Sequence, residues 1–417
     1  MSGTSESHFP TDTKAFDRRT RRNSVFALVF FAGTTFSVAV LIILLFSIIN
    51  NAFGPVAVEN TVDPAELRIG GREYTELDSK ELIGILEEHL SRGLIRRYNR
   101  ETPLNERSTA NLVQLVEERI IKPAVKQSWS LAEGLFEGGK IRSHFEDNPT
   151  HIRSFRAWLN PSFIVSSQSS TPEDSGIRTA LLGSVWIILV TFVFSFPIGI
   201  GTAVYLEEYA KDSRLNRFIQ TNIYNLAGVP SIIYGLLGLA IFVRILQPLS
   251  SGEIFGSADP STANGRTVFS AGMTLGLLIL PIIIINTQEA LRALPASLRH
   301  SSFGLGATRW QTVWHHLLPG SMERILTGTI IALSRAIGET APLVVVGAST
   351  FVSLDPEGIF SKFTTLPIQI YQWSARPQGE FRNIAAAAIL VLLILLLSMN
   401  ATAIYFRNRL SRTSRIQ

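Results

Sequence analysis

The sequence lacks cysteine and is poor in charge. None of its 417 residues is cysteine, which excludes disulfide bonds and thiolate chemistry, so any segment outside the cell must fold without covalent cross-links. Charged residues make up 17% of the chain against 46% hydrophobic residues, and the net charge is only +5. The basic residues cluster beside apolar runs, which is the topology signal of membrane proteins and not a nucleic-acid-binding surface.

The chemical signatures of an enzyme or a metal site are also missing. No apolar run carries a Ser–His pattern or paired aspartates. The stretch 134–141 nearly matches the phosphate-binding loop GxxxxGK[ST], but Ile141 supplies no hydroxyl for magnesium. Zinc would need further ligands at fixed spacing beside His300, His315 and His316, so a solvated or partner-facing role is favoured for these histidines. We expect no cofactor and no metal in this chain.

Six apolar runs dominate the sequence. Crossing about 30 Å of hydrocarbon takes roughly 20 helical residues. The first run is too long for a typical signal peptide and lacks a clean small-residue cleavage site, so we interpret it as a spanning helix. We therefore predict an all-α integral membrane fold with spans at 25–49, 177–205, 219–243, 268–290, 325–351 and 384–405.

The distribution of basic residues predicts the orientation. Five basic residues precede the first span, and the C-terminal end carries four arginines between 407 and 415. Six spans place both termini on one side, and excess Lys and Arg mark that side as cytoplasmic. We predict a cytoplasmic N-terminal tail 1–24, a cytoplasmic tail 409–417 and a cytoplasmic loop 292–324, with 247–266 and 354–382 outside.

The segment 55–172 has dense charge and no spanning run. Apolar residues recur at helical spacing after Asp78 and again after Ser108, and each of these polar residues is a suitable N-terminal cap. We predict a small helical extracytoplasmic insertion that packs on the mouth of the membrane domain; the sequence does not indicate its role.

The loop between the fourth and fifth spans has its own pattern. Helical spacing covers Ala296–Gly304 and Thr308–His316, with glycines between them, which predicts two helices, the second ending at Pro319. An amphipathic helix of this kind lies on the bilayer or docks into a groove of a partner. Its apolar stripe comprises Phe303, Trp310, Val313, Trp314 and Leu317.

The stretch 306–319 resembles the EAA loop of ABC-transporter permease subunits. Gly306, Ala307, Leu318 and Pro319 fall in register with that pattern, whereas residues 300–302 read His-Ser-Ser in place of Glu-Ala-Ala. The resemblance implies that the loop inserts into a cleft of a cytoplasmic ATPase subunit. The implied coupling residues are His300, Gly304, Gly306, Ala307, Trp310, Leu318 and Pro319.

Further motifs narrow the resemblance to phosphate-transporter permeases of the PstA type. These motifs are Tyr205–Ala210, Val229–Gly235, Glu289–Pro295 and Arg335–Leu343. The resemblance covers about 175–408, the permease core, and does not cover the insertion. It implies a transporter subunit, not an enzyme. The implied partners are a related PstC-type permease, two ATP-binding subunits that hold ATP and magnesium, and an extracytoplasmic phosphate-binding protein.

Arg335 and Glu339 lie four residues apart in the fifth predicted span. An unpaired charge at mid-membrane costs at least about 2.5–3.5 kcal/mol, so the pair must face a cavity or a partner helix. One interpretation is a structural ion pair. The other is a substrate pathway, because the planar fork of arginine matches phosphate oxygens; the family resemblance favours this pathway interpretation.

Three other functions stay open at this stage. A permease for another oxyanion would share every motif. A membrane sensor with an extracytoplasmic ligand-binding domain would need a cytoplasmic output domain, and the tail after Tyr405 is short. An intramembrane hydrolase would need catalytic residues inside a span.

Overall fold

The computed structural model describes residues 13–256, 264–348, 351–352 and 354–414. Parts of the predicted tails 1–24 and 409–417, of the outer loop 247–266 and of the fifth span lie outside these residues. The chain divides into two units, Met1–Asn50 and Asn51–Gln417. In the described residues, the first unit is a single long helix, α1 (Thr13–Ala52), whose last two residues belong to the second unit.

The second unit begins with the insertion, which combines helices with a small sheet. In chain order its elements are β1 (Phe53–Asn60), α2 (Ser79–His89), α3 (Arg92–Glu101), α4 (Thr109–Val116), β2 (Pro123–Ser128), α5 (Leu131–Phe136), α6 (Gly138–Asp147), β3 (Ile152–Ala157) and α7 (Pro161–Val165).

The helical part of the insertion follows its local sequence signals. Asp78 caps α2 in a capping box with Glu81, and the hydroxyl of Ser108 caps α4. Both predicted caps are confirmed. The apolar faces meet in one cluster that includes Leu82, Leu86, Leu112, Leu115 and Val116. These helices are therefore held by apolar burial, as their spacing predicted.

The sheet was not predicted: the sequence analysis expected a small helical insertion, and the structure adds a three-stranded sheet to its helices. Its order is β2-β1-β3, with both pairs antiparallel and with a register shift in the β1–β2 pair between Ala57 and Val58. Each strand has only six to eight residues, and β2 and β3 begin 63 or more residues after the end of β1. Short strands joined only by long-range pairing leave little periodic signal in the sequence.

The membrane region contains the remaining helices. They are α8 (Arg178–Val204), α9 (Arg214–Ala227), α10 (Ser231–Gly238), α11 (Gln247–Ser250), α12 (Val268–Arg292), α13 (Ala296–Gly304), α14 (Arg309–Thr312), α15 (Leu318–Gly338), α16 (Ala341–Val346), α17 (Leu366–Ser374) and α18 (Gly379–Ser414). Four stretches in the described residues are long and apolar enough to cross a membrane: Asn23–Ala52, Arg178–Tyr209, Val268–Arg292 and Gly379–Arg409.

The predicted third span, 219–243, is not one straight helix. Helix α9 and the helix starting at Ser231 meet at a bend of 110°, so the two arms form a broken span or a re-entrant loop. Pro230 lies in this break, has no N–H to continue the helical ladder, and restricts the residue before it. Counted as one, the bent pair raises the number of candidate spans to five.

The predicted fifth span, 325–351, is also interrupted. Helix α15 starts earlier, at Leu318, and ends at Gly338, where Glu339 adopts an extended conformation before α16. Pro342 lacks the N–H that would bond to the carbonyl of Gly338. Helix α15 also carries Glu323 and Arg324, and it is not among the described helices that are long and apolar enough to cross a membrane. The count of six spans stays a prediction.

Helix α12 is the centre of the membrane region. It packs against α8, α9, α10, α15 and α16, and two thirds of its most apolar stretch is buried within the protein. Glycines allow close approach on its α8 face: a side chain at Gly272 would meet Val190, and one at Gly276 would meet Phe194. Small residues at such contacts let membrane helices pack through van der Waals contact.

The insertion packs directly on the membrane region within the second unit. Asn383 at the start of α18 donates to the hydroxyl of Ser128 at the end of β2, at 2.9 Å. The side chain of Gln168 accepts from the backbone N–H of Val352. Such contacts are what the predicted packing on the mouth of the membrane domain requires.

Candidate functional site

Two consecutive carboxylates anchor the loop between α12 and α15. Glu208 forms a bidentate pair with Arg299 of α13, with its shortest N–O distance 2.8 Å, and Glu207 forms one with Arg292 at the end of α12, at 2.6 Å. The side chains of Glu208 and Arg299 are only 11% and 22% exposed. A shielded bidentate pair holds geometry far better than an exposed ion pair does.

Arg299 also stabilises the turn between α12 and α13. Its guanidinium donates to the backbone oxygens of Leu291 and Leu294, where α12 ends and the chain turns into α13. Arg309, at the start of α14, donates to the backbone oxygen of Glu208. The loop is thus held at both of its helices by the turn Tyr205–Tyr209 that follows α8.

A buried polar contact and an apolar cluster hold the two loop helices together. The hydroxyls of Ser302 in α13 and Thr312 in α14 lie 2.8 Å apart, and both residues are buried. Beneath them Val313 and Leu317 pack on Val204 of α8 and Leu291 of α12. The predicted apolar stripe is therefore divided, because Val313 and Leu317 face the protein.

The other half of the stripe faces outward. Trp310 and Trp314 stack with their ring centroids 5.4 Å apart, and more than half of each side chain is exposed. Phe303 and Leu305, a few residues earlier in the sequence, are also exposed, and Leu305 is 91% exposed. Aromatic pairs of this kind are typical anchors of protein interfaces. We call Phe303, Leu305, Trp310 and Trp314 the outward apolar face of the loop.

Glycines shape the connection between α13 and α14. Gly306 has φ +83°, a left-handed conformation that other residues adopt only with strain, and its surroundings are open. No atom comes within 4 Å of a side chain built at Gly304 either. Ala307 is half-buried, and His300 is exposed. The connection therefore offers bare backbone to an approaching partner.

The second loop helix does not end at Pro319, contrary to the prediction. Backbone torsions stay helical from Arg309 through a wider turn at Val313–Leu317 into α15. In that turn the N–H of Leu318 bonds to the oxygen of Val313, five residues back, and Pro319 then occupies the first turn of α15. Proline is tolerated there because its missing N–H needs no partner.

This continuity joins the loop to the charged pair. The helical path from Arg309 to Gly338 covers 30 residues, about 45 Å at 1.5 Å per residue. The Nε atom of Arg335 lies 3.5 Å from a carboxylate oxygen of Glu339, a long ion pair. Glu339 is the residue at which α15 breaks, so the pair sits at the joint to α16 and not inside a continuous helix.

Within the described residues, the pair of Arg335 and Glu339 is only partly enclosed. The side chain of Arg335 is 49% exposed, and that of Glu339 is 20% exposed. A side chain built at Gly338 would meet no atom within 4 Å. An arginine in this setting has a free face for an anion or for a second subunit.

Sequence reasoning did not single out Glu207 and Glu208. The signal was present in part, because both lie in the Tyr205–Ala210 motif and follow an apolar span directly. Their partners lie 85 and 91 residues away, so only the fold pairs them. In the part of the chain that the structure describes, no group of three or more histidine or acidic side chains could hold a metal ion.

Comparison with known proteins finds a matching family and several relatives. Residues 179–412 match the model of the family described as "Binding-protein-dependent transport system inner membrane component". The chain is 30% identical over 259 residues to the probable ABC transporter permease protein YqgI of Bacillus subtilis, covering 58% of this chain and 82% of the relative. It is 29% identical to the phosphate transport system permease protein PstA of Xylella fastidiosa, covering 58% of this chain and 78% of the relative.

A third relative and a solved structure show the same kind of similarity. The phosphate transport system permease protein PstA 1 of Mycobacterium tuberculosis is 31% identical, covering 56% of this chain and 73% of the relative. Inward-facing MetNI, a methionine ABC transporter, superposes with TM-score 0.41 at 20% identity, covering 56% of this chain and 97% of that chain. That superposition is too loose to support a conclusion about this chain.

Proposed function

This chain belongs to the family of inner-membrane components of binding-protein-dependent transport systems, and we propose that it is the permease subunit of an ATP-driven phosphate importer. The family match covers 179–412, which is the membrane region and the loop, and the assignment of phosphate rests on the relatives of the PstA type, which are phosphate transport system permease proteins. The observation that supports the proposal best is the anchored loop with its outward apolar face, because an importer permease must transmit force from a separate ATPase.

The loop between α12 and α15 is the proposed contact site for the ATPase. Its inner side is fixed to α8 and α12 by Glu207, Glu208 and the cluster around Leu317. Its outward apolar face, together with His300, Gly304, Gly306 and Ala307, would enter a cleft of the ATPase. Buried aromatic anchors typically dominate the energy of such contacts. We place ATP and magnesium in two partner ATPase subunits.

Helix α15 is the element that we propose transmits movement of the loop to the charged pair. A rigid helix transmits a displacement from one end to the other. Movement at Trp310 and Trp314 would therefore reach Arg335 and Glu339, where α15 breaks. Closure of the ATPases would swing this joint between outward and inward access.

Arg335 and Glu339 are the proposed pathway residues. The guanidinium can form parallel hydrogen bonds to two phosphate oxygens, and Glu339 holds it in place when the anion is absent. A related permease of the PstC type would supply the other half of the path, since the exposed side of Arg335 is not covered by this chain. An extracytoplasmic phosphate-binding protein would deliver the substrate. In this arrangement both termini lie in the cytoplasm.

The test of this function is uptake of radiolabelled phosphate in cells that lack the chain and in cells that carry it on a plasmid. We expect uptake to be lost and then restored. Excess unlabelled phosphate should compete, whereas sulfate and molybdate should not. Unchanged uptake without the chain would refute the proposal, and competition by sulfate or molybdate would assign the permease to another oxyanion.

A further inference from the structure

The insertion carries apolar side chains that the described part of the chain leaves exposed. Leu135 and Phe136 at the end of α5 are 71% and 85% exposed, and Phe155 of β3 is 62% exposed. These three side chains, which we call the insertion patch, contain no polar atom. Exposed apolar groups that cluster in a soluble domain usually mark a contact surface.

The strand residue Phe155 and the end of α5 both lie near Pro55 of β1. Gly134, which precedes Leu135, packs so closely on Pro55 that a side chain there would lie 2.9 Å from the proline ring. Phe155 is the cross-strand partner of Pro55, and such partners point to the same face with Cβ atoms about 4.5–5.5 Å apart. Phe155 and the end of α5 are therefore both close to Pro55.

Pro55 lies close to the boundary of a membrane span. Its neighbour Val56 pairs with Ser128, and the hydroxyl of Ser128 accepts a hydrogen bond from Asn383. Asn383 directly precedes Ile384, where the apolar run of α18 begins. Neighbouring strands are about 4.8 Å apart, so Pro55 is on the order of 10 Å from the start of that run. Side chains of interfacial elements reach about 5–10 Å into the headgroup region.

From this position we infer that the insertion patch lies in the outer lipid leaflet. The inference rests on the proposed function only in taking α18 as a membrane span. The patch is too small for a stable protein interface, because it has three side chains where such interfaces bury roughly 20–30 residues on each side. Lipid needs no such area, and burial of apolar groups in the interface is sufficient.

This contact gives the insertion a mechanical role. The sheet is tied to α18 through Ser128 and Asn383, and the patch ties the same sheet to the bilayer. The insertion is then held at two points, and its sheet is kept at a fixed height beside the outer end of α18. The helical cluster of α2 and α4, at the other end of β1, stays in water.

Because the chain has no cysteine, single-cysteine variants report one position each. We would attach a nitroxide spin label to Phe136→Cys and to Phe155→Cys in the full chain, reconstituted in lipid nanodiscs. Collision rates are then measured with oxygen, which concentrates in lipid, and with a water-soluble nickel chelate. Glu88→Cys in α2 is the water control, and Leu397→Cys, exposed in the middle of α18, is the lipid control.

We expect oxygen to dominate at 136 and 155, as at 397, and the nickel chelate to dominate at 88. Nickel accessibility at 136 equal to that at 88 would show that the patch lies in water and would overturn the inference. Low collision rates with both reagents would show that protein covers the patch, which overturns it as well. A water-like result at Leu397 would instead refute α18 as a span, whereas phosphate uptake tests the transport function separately.

Discussion

Glu208 and Arg299 are 91 residues apart in sequence and form a bidentate ion pair that is largely shielded from water. The carboxylate follows the second apolar helix, and the guanidinium lies in the first loop helix. This single contact fixes the orientation of the loop relative to α8, because Arg299 also binds the backbone oxygens where α12 ends. The loop thereby becomes a rigid part of the membrane region.

The first prediction concerns this pair. Breaking a shielded ion pair leaves one charge unpaired and costs about 3–5 kcal/mol. We expect Arg299→Ala to lower phosphate uptake at least about tenfold, because the loop loses its fixed orientation. The measurement is uptake normalised to the amount of the variant in the membrane. Arg217→Ala is the matched control, since its pair with Asp212 is highly exposed and should contribute little. Near-normal uptake by Arg299→Ala would argue against the anchor.

The second prediction concerns the outward apolar face. We expect the double variant Trp310→Ala, Trp314→Ala to fold normally, since both side chains are more than half exposed. Loss of interface anchors typically costs 2 kcal/mol or more, so binding of the ATPase should weaken about 30-fold or more. Co-purification of the ATPase measures this effect. His315→Ala is the control, because that side chain is exposed and lies within hydrogen-bond distance of the backbone oxygen of Gln311 in its own helical stretch. Equal recovery of the ATPase by both variants would contradict the docking role.

The third prediction concerns Gly306, whose φ of +83° favours glycine. We expect Gly306→Val to disturb the connection between α13 and α14 and to reduce ATPase binding, because a β-branched residue is strained in this conformation. Gly201→Val is the control, since Gly201 lies in α8, outside the loop, and a side chain there would meet no atom within 4 Å. ATPase co-purification and phosphate uptake are measured together. Normal values of both for Gly306→Val would reject a role of this turn in docking.

The fourth prediction concerns Arg335. Hydrogen bonds to a charged group contribute about 1.5–3 kcal/mol each, so Arg335→Ala should reduce phosphate uptake by a factor of about 10–100 or more. Assembly with the second permease and the ATPase should stay intact. Arg335→Lys should recover only part of the uptake, because an ammonium group lacks the planar fork. Full uptake by Arg335→Ala would remove this residue from the pathway, and loss of assembly would assign it to a structural ion pair.

The fifth prediction concerns packing between α8 and α12. A methyl group at Gly272 would lie 2.6 Å from Val190 and 3.2 Å from the backbone oxygen of Ile187. We expect Gly272→Ala to destabilise the protein by about 1–3 kcal/mol through overpacking. Gly201→Ala is the control in α8, where no atom lies within 4 Å, and it should be neutral or slightly stabilising. Thermal unfolding in detergent measures both, and equal melting temperatures would contradict the packing argument.

Local sequence signals predicted most of the helices and the identity of the family. Periodic apolar residues and polar caps located α2 and α4, and long apolar runs located α8, α12 and α18, because these signals act over a single element. The resemblance to PstA-type permeases is supported by relatives at about 30% identity and by the family match. The effect of proline on the spans was not predicted. Breaks at Pro230 and near Pro342 interrupt two of the predicted spans.

The sequence by itself determined that this is a multi-pass membrane protein of the transporter class, because apolar length and motif register are local properties. It also placed the loop between α12 and α15 and the charged pair of Arg335 and Glu339. Only the tertiary structure decided that Glu207 and Glu208 anchor that loop, that its apolar stripe is divided between an inner and an outer face, and that its second helix runs on into α15. These features depend on contacts between residues distant in sequence, or on a widened turn that accommodates Pro319, and neither is encoded in the local pattern.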